Sequence, residues 1–287
     1  MKKVLVTGAS GQLGKCFKKI ALGHPELKFI FLDSSQLDIT DQNQIQKIFS
    51  EEKSDYCINC AAYTNVEKAE SDKETAFKIN AEGVKNLAEV CENNGTVLIH
   101  FSTDYVFDGK TTKAYQETDK VNPINVYGAS KLKGEKYIMQ GMEKYFIFRT
   151  SWLYSEFGHN FFNTILKKAE EGARLNITTA QTGTPTNAKD LAQFVLQLIS
   201  EENAQFGLYH FSNEGEATWY DFARAILELS GKSNEVELNK SGFYKTLAER
   251  PVFSVLNKRK LQENFNYLVP EWKKSLENLI TNSSREI

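Results

Sequence analysis

The chain reads as an α/β protein built on a doubly wound parallel sheet, with a smaller mixed α/β region towards its C-terminal end. Three observations predict this. Residues 2–7 form an apolar strand that runs at once into a glycine-rich turn and an amphipathic helix. Strand and helix patterns then alternate as far as Arg149, the order that produces a parallel sheet covered on both faces. Near Trp152 the pattern changes to helices at roughly 161–171, 187–200 and 217–230, joined by short strands near 175–178 and 207–211. The expected division is therefore 1–151 and 152–287, with some of the later helices returning to the first part.

Each element has its own justification. Thr7-Gly8-Ala9-Ser10-Gly11-Gln12-Leu13-Gly14 sits between the first strand and a helix that aligns Leu13, Cys16, Phe17, Ile20 and Ala21. Glycines spaced G-x-x-G-x-x-G permit a tight turn, and the helix N-terminus behind them offers free N–H groups to a pyrophosphate. Phe29-Ile30-Phe31-Leu32 is a second strand ending in Asp33, an acid placed to accept hydrogen bonds from an adenosine ribose, which favours NAD over a 2′-phosphate. Asp38-Ile39-Thr40-Asp41 introduces a helix with Ile45, Ile48 and Phe49 on one face. A third strand ends in Ala61-Ala62, small enough for a flat cofactor to lie against the backbone.

Asp72 to Cys91 has the spacing of one long helix and carries Asn80. Thr96 to Phe101 is a fourth strand, and Ser102-Thr103-Asp104-Tyr105 at its carboxyl end falls where such sheets bind ligands. Tyr127-Gly128-Ala129-Ser130-Lys131 then opens a helix entered through Pro123 and Asn125. Residues four apart stack on one helix face, so the Tyr127 phenol and the Lys131 ammonium are neighbours. A nearby cation favours the phenolate, which would bring the Tyr127 pKa down towards the range of a general acid or base. Tyr145 to Arg149 is a fifth strand, and Trp272 to Ile280 a last helix before a tail, 281–287, expected to fray.

Composition excludes several classes. Thirty-five Lys and Arg against 37 Asp and Glu give a net charge of −2, without the basic stripe of a nucleic-acid binder. The apolar run Val4-Leu5-Val6 is too short for a signal peptide and no stretch approaches a membrane span, so a cytoplasmic location is expected. Four cysteines are too few for a disulfide framework. Cys57 and Cys60 spell C-x-x-C, but residues three apart on a strand face opposite ways, which favours packing over redox chemistry. The four His are scattered and no acidic cluster stands near the glycine turn, where Lys15 and Cys16 follow Gly14; no metal is expected.

With these residues located, the chain resembles the extended short-chain dehydrogenase/reductase superfamily and, within it, the dTDP-4-dehydrorhamnose reductases. TGASGQLG at 7–14, NCAAYTNVEKAE at 59–70, STDYVFDG at 102–109, PINVYGASKLKGE at 123–135, RTSWLY at 149–154, GTPT at 183–186 and RPVFS at 250–254 carry the resemblance over nearly the whole length. It implies a Rossmann-like domain at 1–151 that binds NADH or NADPH, and a region at 152–287 that mainly holds a nucleotide sugar. Thr103, Tyr127 and Lys131 fall on the family's catalytic triad. Gly8, Gly11, Gln12, Leu13, Asp33, Asp38, Ile39, Ala62, Tyr63 and Thr64 fall on its cofactor positions together with Tyr127 and Lys131. Val66, Thr103, Asp104, Tyr105 and Trp152 fall on its substrate positions.

The implied chemistry is hydride transfer to the C4 ketone of a dTDP-linked deoxysugar, by a monomer or homodimer without nucleic-acid or membrane partners. Related sugar-nucleotide dehydratases carry Asp-Glu after the Thr; Tyr105 stands in the place of that Glu, which disfavours dehydration. Two other functions share these motifs: a reductase or epimerase of another nucleotide sugar, and a non-catalytic regulatory subunit like that of methionine adenosyltransferase.

Overall fold

The computed structural model describes residues 1–242 and 246–283. In chain order the first half contains β1 (Lys2–Thr7), α1 (Gln12–Ile20), β2 (Leu27–Phe31), α2 (Gln42–Glu52), β3 (Tyr56–Asn59) and α3 (Val66–Ala69). It continues with α4 (Lys73–Phe77), α5 (Val84–Asn94), β4 (Val97–Thr103), α6 (Val126–Gly141) and β5 (Tyr145–Thr150). The second half contains β6 (Leu153–Tyr154), α7 (Phe161–Glu170), β7 (Leu175–Thr178), β8 (Thr182–Gly183), β9 (Thr186–Asn187) and α8 (Ala188–Ser200). After these come β10 (Gly207–His210), β11 (Ala217–Thr218), α9 (Trp219–Leu229), β12 (Leu238–Ser241), α10 (Arg259–Phe265) and α11 (Trp272–Ser283).

Six strands in the order β10-β5-β4-β3-β1-β2 form one sheet in which every pairing is parallel. The chain steps from β1 outward to β2 and returns to β3 on the other side. This reversal leaves a crevice beyond the carboxyl ends of β1 and β3, where such sheets take their ligands. One face buries Val4, Val6, Phe17, Phe148 and Phe194 beneath α1 and α8; the other buries Leu5, Ile45, Phe49, Leu87 and Ile147 beneath α2, α5 and α6. A third cluster around Tyr154, Phe162, Phe222, Ile226 and Trp272 joins α7, α9 and α11.

Three sequence expectations change. Strand β10, from 207–210, is the sixth strand of the main sheet, so the boundary at 151/152 cuts across the sheet. The long helix expected over 72–91 is interrupted between α4 and α5 by a π-helical turn, Lys78–Gly83. Its wider winding turns Asn80 inward, fully buried, instead of along the helix surface. Thr281 and Asn282 remain helical in α11; the rest of the tail expected to fray lies outside the described residues from 284 onward.

Cys57 belongs to the core beneath α2 and α5, while Cys60 packs on the opposite face of the sheet, so the two thiols diverge as the strand geometry requires.

Behind the site α6 is anchored by ionic packing. Glu135 and Arg149 form a bidentate pair at 2.9 and 2.7 Å, with side chains 0% and 3% exposed. Neutralising one member strands the other's charge out of water. Glu135→Gln is therefore expected to cost about 3–5 kcal/mol of unfolding free energy, read from the urea midpoint at unchanged slope. A loss under about 1 kcal/mol, the worth of an exposed pair, would contradict this account.

Candidate active site

The glycine turn after β1 is built for close approach. Gly8 has φ +60°, and a Cβ there would lie 2.6 Å from the Ala61 nitrogen, so β1 and the segment after β3 meet backbone to backbone. Gly11 caps α1 without a side-chain hydrogen bond, and the first turn of α1 holds no acid. Its leading N–H groups, at Gln12 and Leu13, stay available to an anion, which is the donor set a dinucleotide pyrophosphate requires.

Asn80 ties this turn's neighbour to α6. Its amide donates to the Tyr63 carbonyl at 2.9 Å and to Ser130 Oγ at 3.0 Å, and its oxygen accepts from the Tyr63 N–H at 2.8 Å. Helix α6 comes so near that a Cβ on Gly134 would lie 2.3 Å from the Asn80 carbonyl oxygen. At its start α6 is capped by Asn125, whose oxygen accepts from the Gly128 N–H at 2.8 Å, while Glu70 accepts from the Val126 N–H at 2.8 Å. Tyr127 and Lys131 are thereby aimed at the end of β4.

Between them opens a cleft of about 470 Å³. Gly11, Gln12, Leu13, Ala62, Thr64, Val66, Thr103, Asp104, Tyr105, Tyr127, Lys131 and Trp152 all line it. Gly8, Asp33, Asp38, Ile39 and Tyr63 do not. Gly8 lies beneath the turn; Tyr63 is held at its backbone by Asn80. Asp33 stands beyond the end of β2, with Oδ1 accepting from the Ser35 N–H at 2.9 Å and hydroxyl at 2.6 Å, bonds that hold its pKa low. Asp38 closes a turn through Thr40 at 2.8 Å, and Ile39 is buried in the core beneath α2 and α5.

The electrostatics correct one expectation. Burial pushes the Tyr127 phenol up to about 12, opposed by the Thr103 hydroxyl and reinforced by Asp104; Lys131 does not lower it. Burial also brings the Lys131 ammonium down to about 8, against the pull of Glu135 and Cys60. Desolvation of each group separately thus outweighs their mutual effect. Asp104 is pushed by burial up to about 6, with hydrogen bonds from Ser254 and Thr103 opposing. Thr103 donates to Asp104 at 3.0 Å and accepts from the Tyr105 N–H at 3.2 Å, which fixes its hydroxyl beside Tyr127. The Tyr105 ring meets Tyr127 edge-on at 5.9 Å.

Sequence reasoning missed the far wall. Trp219 stacks on Trp152 at 3.7 Å and 8°, Phe161 leans on Trp219 at 4.7 Å, and Gln181 accepts from the Trp219 indole N–H at 2.9 Å. Trp152 holds φ +45°, a strained backbone for a bulky residue that this stack helps maintain. Arg250 also lines the cleft, held by Glu67 at 2.7 Å. Thirty-one Phe and Tyr against three Trp hid the pairing, but a Trp opening a helix behind the Thr218 capping box was a signal.

The family model for the RmlD substrate binding domain matches residues 1–285. The chain belongs to the RmlD substrate binding domain family. Similar members include a dTDP-4-dehydrorhamnose reductase of Aggregatibacter actinomycetemcomitans, 37% identical over 97% of this chain and 98% of that one. Among solved structures, a dTDP-4-dehydrorhamnose reductase from Clostridium acetobutylicum is 39% identical with TM-score 0.93, covering 98% of this chain and 99% of that one. The Bacillus anthracis reductase, in complex with NADP, is 36% identical with TM-score 0.94, covering 98% and 100%. Membership in the RmlD family thus extends across both the sheet and the region that closes the cleft.

Proposed function

We propose that the chain is an NAD(P)H-dependent oxidoreductase that reduces the C4 ketone of dTDP-4-dehydro-L-rhamnose to give dTDP-L-rhamnose. The observation that carries this reading is convergence: Thr103, Tyr127 and Lys131 reach one cleft, with free helix N–H groups at one end and an aromatic wall at the other. A bound nicotinamide supplies the hydride. The residues supply position and the proton.

Tyr127, protonated throughout the neutral range because its pKa lies up to about 12, donates to the ketone oxygen as negative charge grows there. Thr103, turning its single hydroxyl proton from Asp104 to the substrate, donates a second hydrogen bond to that oxygen, an electrostatic stabilisation aimed at the transition state. Lys131 holds the nicotinamide ribose. Arg250 takes the sugar nucleotide's diphosphate, since a guanidinium matches two phosphate oxygens at once. Trp152, backed by Trp219, offers a flat apolar face to the sugar.

Three outcomes test the reading. Tyr127→Phe keeps the ring and is expected to slow single-turnover hydride transfer about 10²–10⁴-fold, the usual worth of general acid catalysis, with nucleotide and dTDP-sugar affinities within a few-fold. Near-wild-type transfer in that variant would remove Tyr127 as the proton donor, whereas no transfer in the wild type would leave a binding or regulatory role as the better reading. Because Lys131 loses its proton as pH rises through about 8 instead of its ordinary 10.5, reduced-nicotinamide affinity should weaken through that region; fluorescence titrations flat to well above it would refute the assignment. Asp33→Ala should shift the ratio of NADH to NADPH dissociation constants towards NADPH by about 1.5–3 kcal/mol, the range for hydrogen bonds to a charged group. An unchanged ratio would remove Asp33 from the ribose.

A further inference from the structure

Thr7, Asn59 and His100 stand side by side across three parallel strands. The strand register pairs Thr7 of β1 with Asn59 of β3, and Asn59 with His100 of β4. All are buried, and they share the sheet face beneath α6, where Lys131 is buried as well. A row of polar side chains in a dry layer has a direction, because every donor must meet an acceptor.

That direction is set at the β1 end. The Thr7 hydroxyl donates to Asn59 Oδ1 at 2.7 Å, and the Ala61 N–H donates to the same oxygen at 3.1 Å. The other side of the amide, Nδ2, therefore donates to His100 Nδ1 at 3.1 Å. A neutral imidazole that accepts at Nδ1 carries its proton on Nε2. Burial, reinforced by Lys131, keeps His100 neutral well below its ordinary range. His100 Nε2 lies 3.4 Å from Lys131 Nζ. An ammonium has three donors and no acceptor, so the imidazole N–H finds a partner only in the amine form of Lys131.

We infer that His100 is a positioning residue for Lys131: fixed by Thr7 and Asn59 as the Nε2–H tautomer, it donates to the Lys131 amine and makes that lysine a proton source instead of a permanent cation. The other groups facing Lys131 are Glu135 on its own helix, bound bidentately to Arg149 of β5, and the Cys60 thiol beyond β3; both favour the ammonium. Burial and the imidazole N–H oppose them.

The consequence rests on the reductase reading. As the hydride forms the new C–H bond, the carbonyl π pair moves to oxygen, which takes the proton of Tyr127. The phenolate recovers a proton from the Lys131 ammonium, which binds its proton less tightly than Tyr127 does. The resulting amine accepts from His100, and solvent reprotonates it once product leaves.

Nitrogen-15 NMR of the ligand-free protein, labelled at His and Lys, tests the tautomer and the lysine separately from turnover. The Lys131 signal is the one lost in Lys131→Met. Wild-type His100 should be the Nε2–H form across neutral pH, with Lys131 titrating near 8. Asn59→Leu frees the ring to hold its proton on Nδ1 and accept from the ammonium, so the Lys131 midpoint should rise by about one pH unit, tenfold in proton affinity. Asn59→Asp keeps an acceptor for Thr7 and Ala61, draws the proton to Nδ1 and should raise the midpoint at least as far. An Nδ1–H His100 in wild type, an unmoved midpoint in both variants, or a rise with Asp alone overturns the inference. If Asn59→Leu does not fold, the wild-type tautomer alone decides. Absence of hydride transfer in wild type, with the NMR outcome as expected, would instead sink the reductase reading and leave the tautomer standing.

Discussion

Removal of charge from water along the carboxyl edge of the sheet is the constraint on which this structure depends. Lys131, Glu135, Arg149, Asp104 and His100 are all buried within one layer. A charge in such a place persists only with a partner, and a polar group only with a hydrogen bond. The sheet answers this in two ways. Glu135 and Arg149 neutralise each other bidentately, while Lys131 and Asp104 are left incompletely matched and shift towards their neutral forms instead. Structural ions are paired; the ions at the cleft are poised.

The rest of the architecture keeps this edge in register. A π-helical turn brings Asn80 inward, and that one amide joins Tyr63 to Ser130 and hence the cofactor side of the cleft to α6. The second half of the chain is fastened to the first at matching points. Asn160, capping α7, donates to Gln12 at 2.9 Å; Asn125, capping α6, donates to the Glu249 carbonyl at 2.8 Å; Glu67 accepts from Leu247 and Arg250. Each clasp uses a residue already serving a helix end or the cleft rim. Closure of the cleft and placement of α6 are therefore one packing problem.

The fold and the residues around Tyr127 were legible because they rest on local rules: a glycine turn between strand and helix, and two side chains four apart on α6. The Asn80 turn was not, since a π-helical insertion leaves the apolar spacing of 72–91 nearly intact and packs against Gly134, a contact distant in sequence. Nor was the Trp152–Trp219 stack, which pairs residues 67 positions apart through the folding of β8 against β11. His100 stood only as one of four scattered His, within the fourth strand. Its partners lie on neighbouring strands, so only the sheet register reveals the row it belongs to.

The direction of the Tyr127 shift is the clearest case in which local reasoning points the wrong way. A lysine one turn along a helix should lower a phenol's pKa, and in water it would. Here Lys131 is buried and Tyr127 half-buried, and desolvation moves each towards its neutral form, Tyr127 to about 12 and Lys131 to about 8. For a reduction this order is useful. In the proposed reduction the group that gives a proton to the ketone holds it across the neutral range, and the group behind it holds its proton more loosely. In the proposed relay the spent phenolate draws its proton from Lys131, the looser holder of the two. The same order would hinder an oxidation, in which Tyr127 must begin as a base. Burial thus leaves on Tyr127, before any ligand arrives, the proton that a reduction consumes.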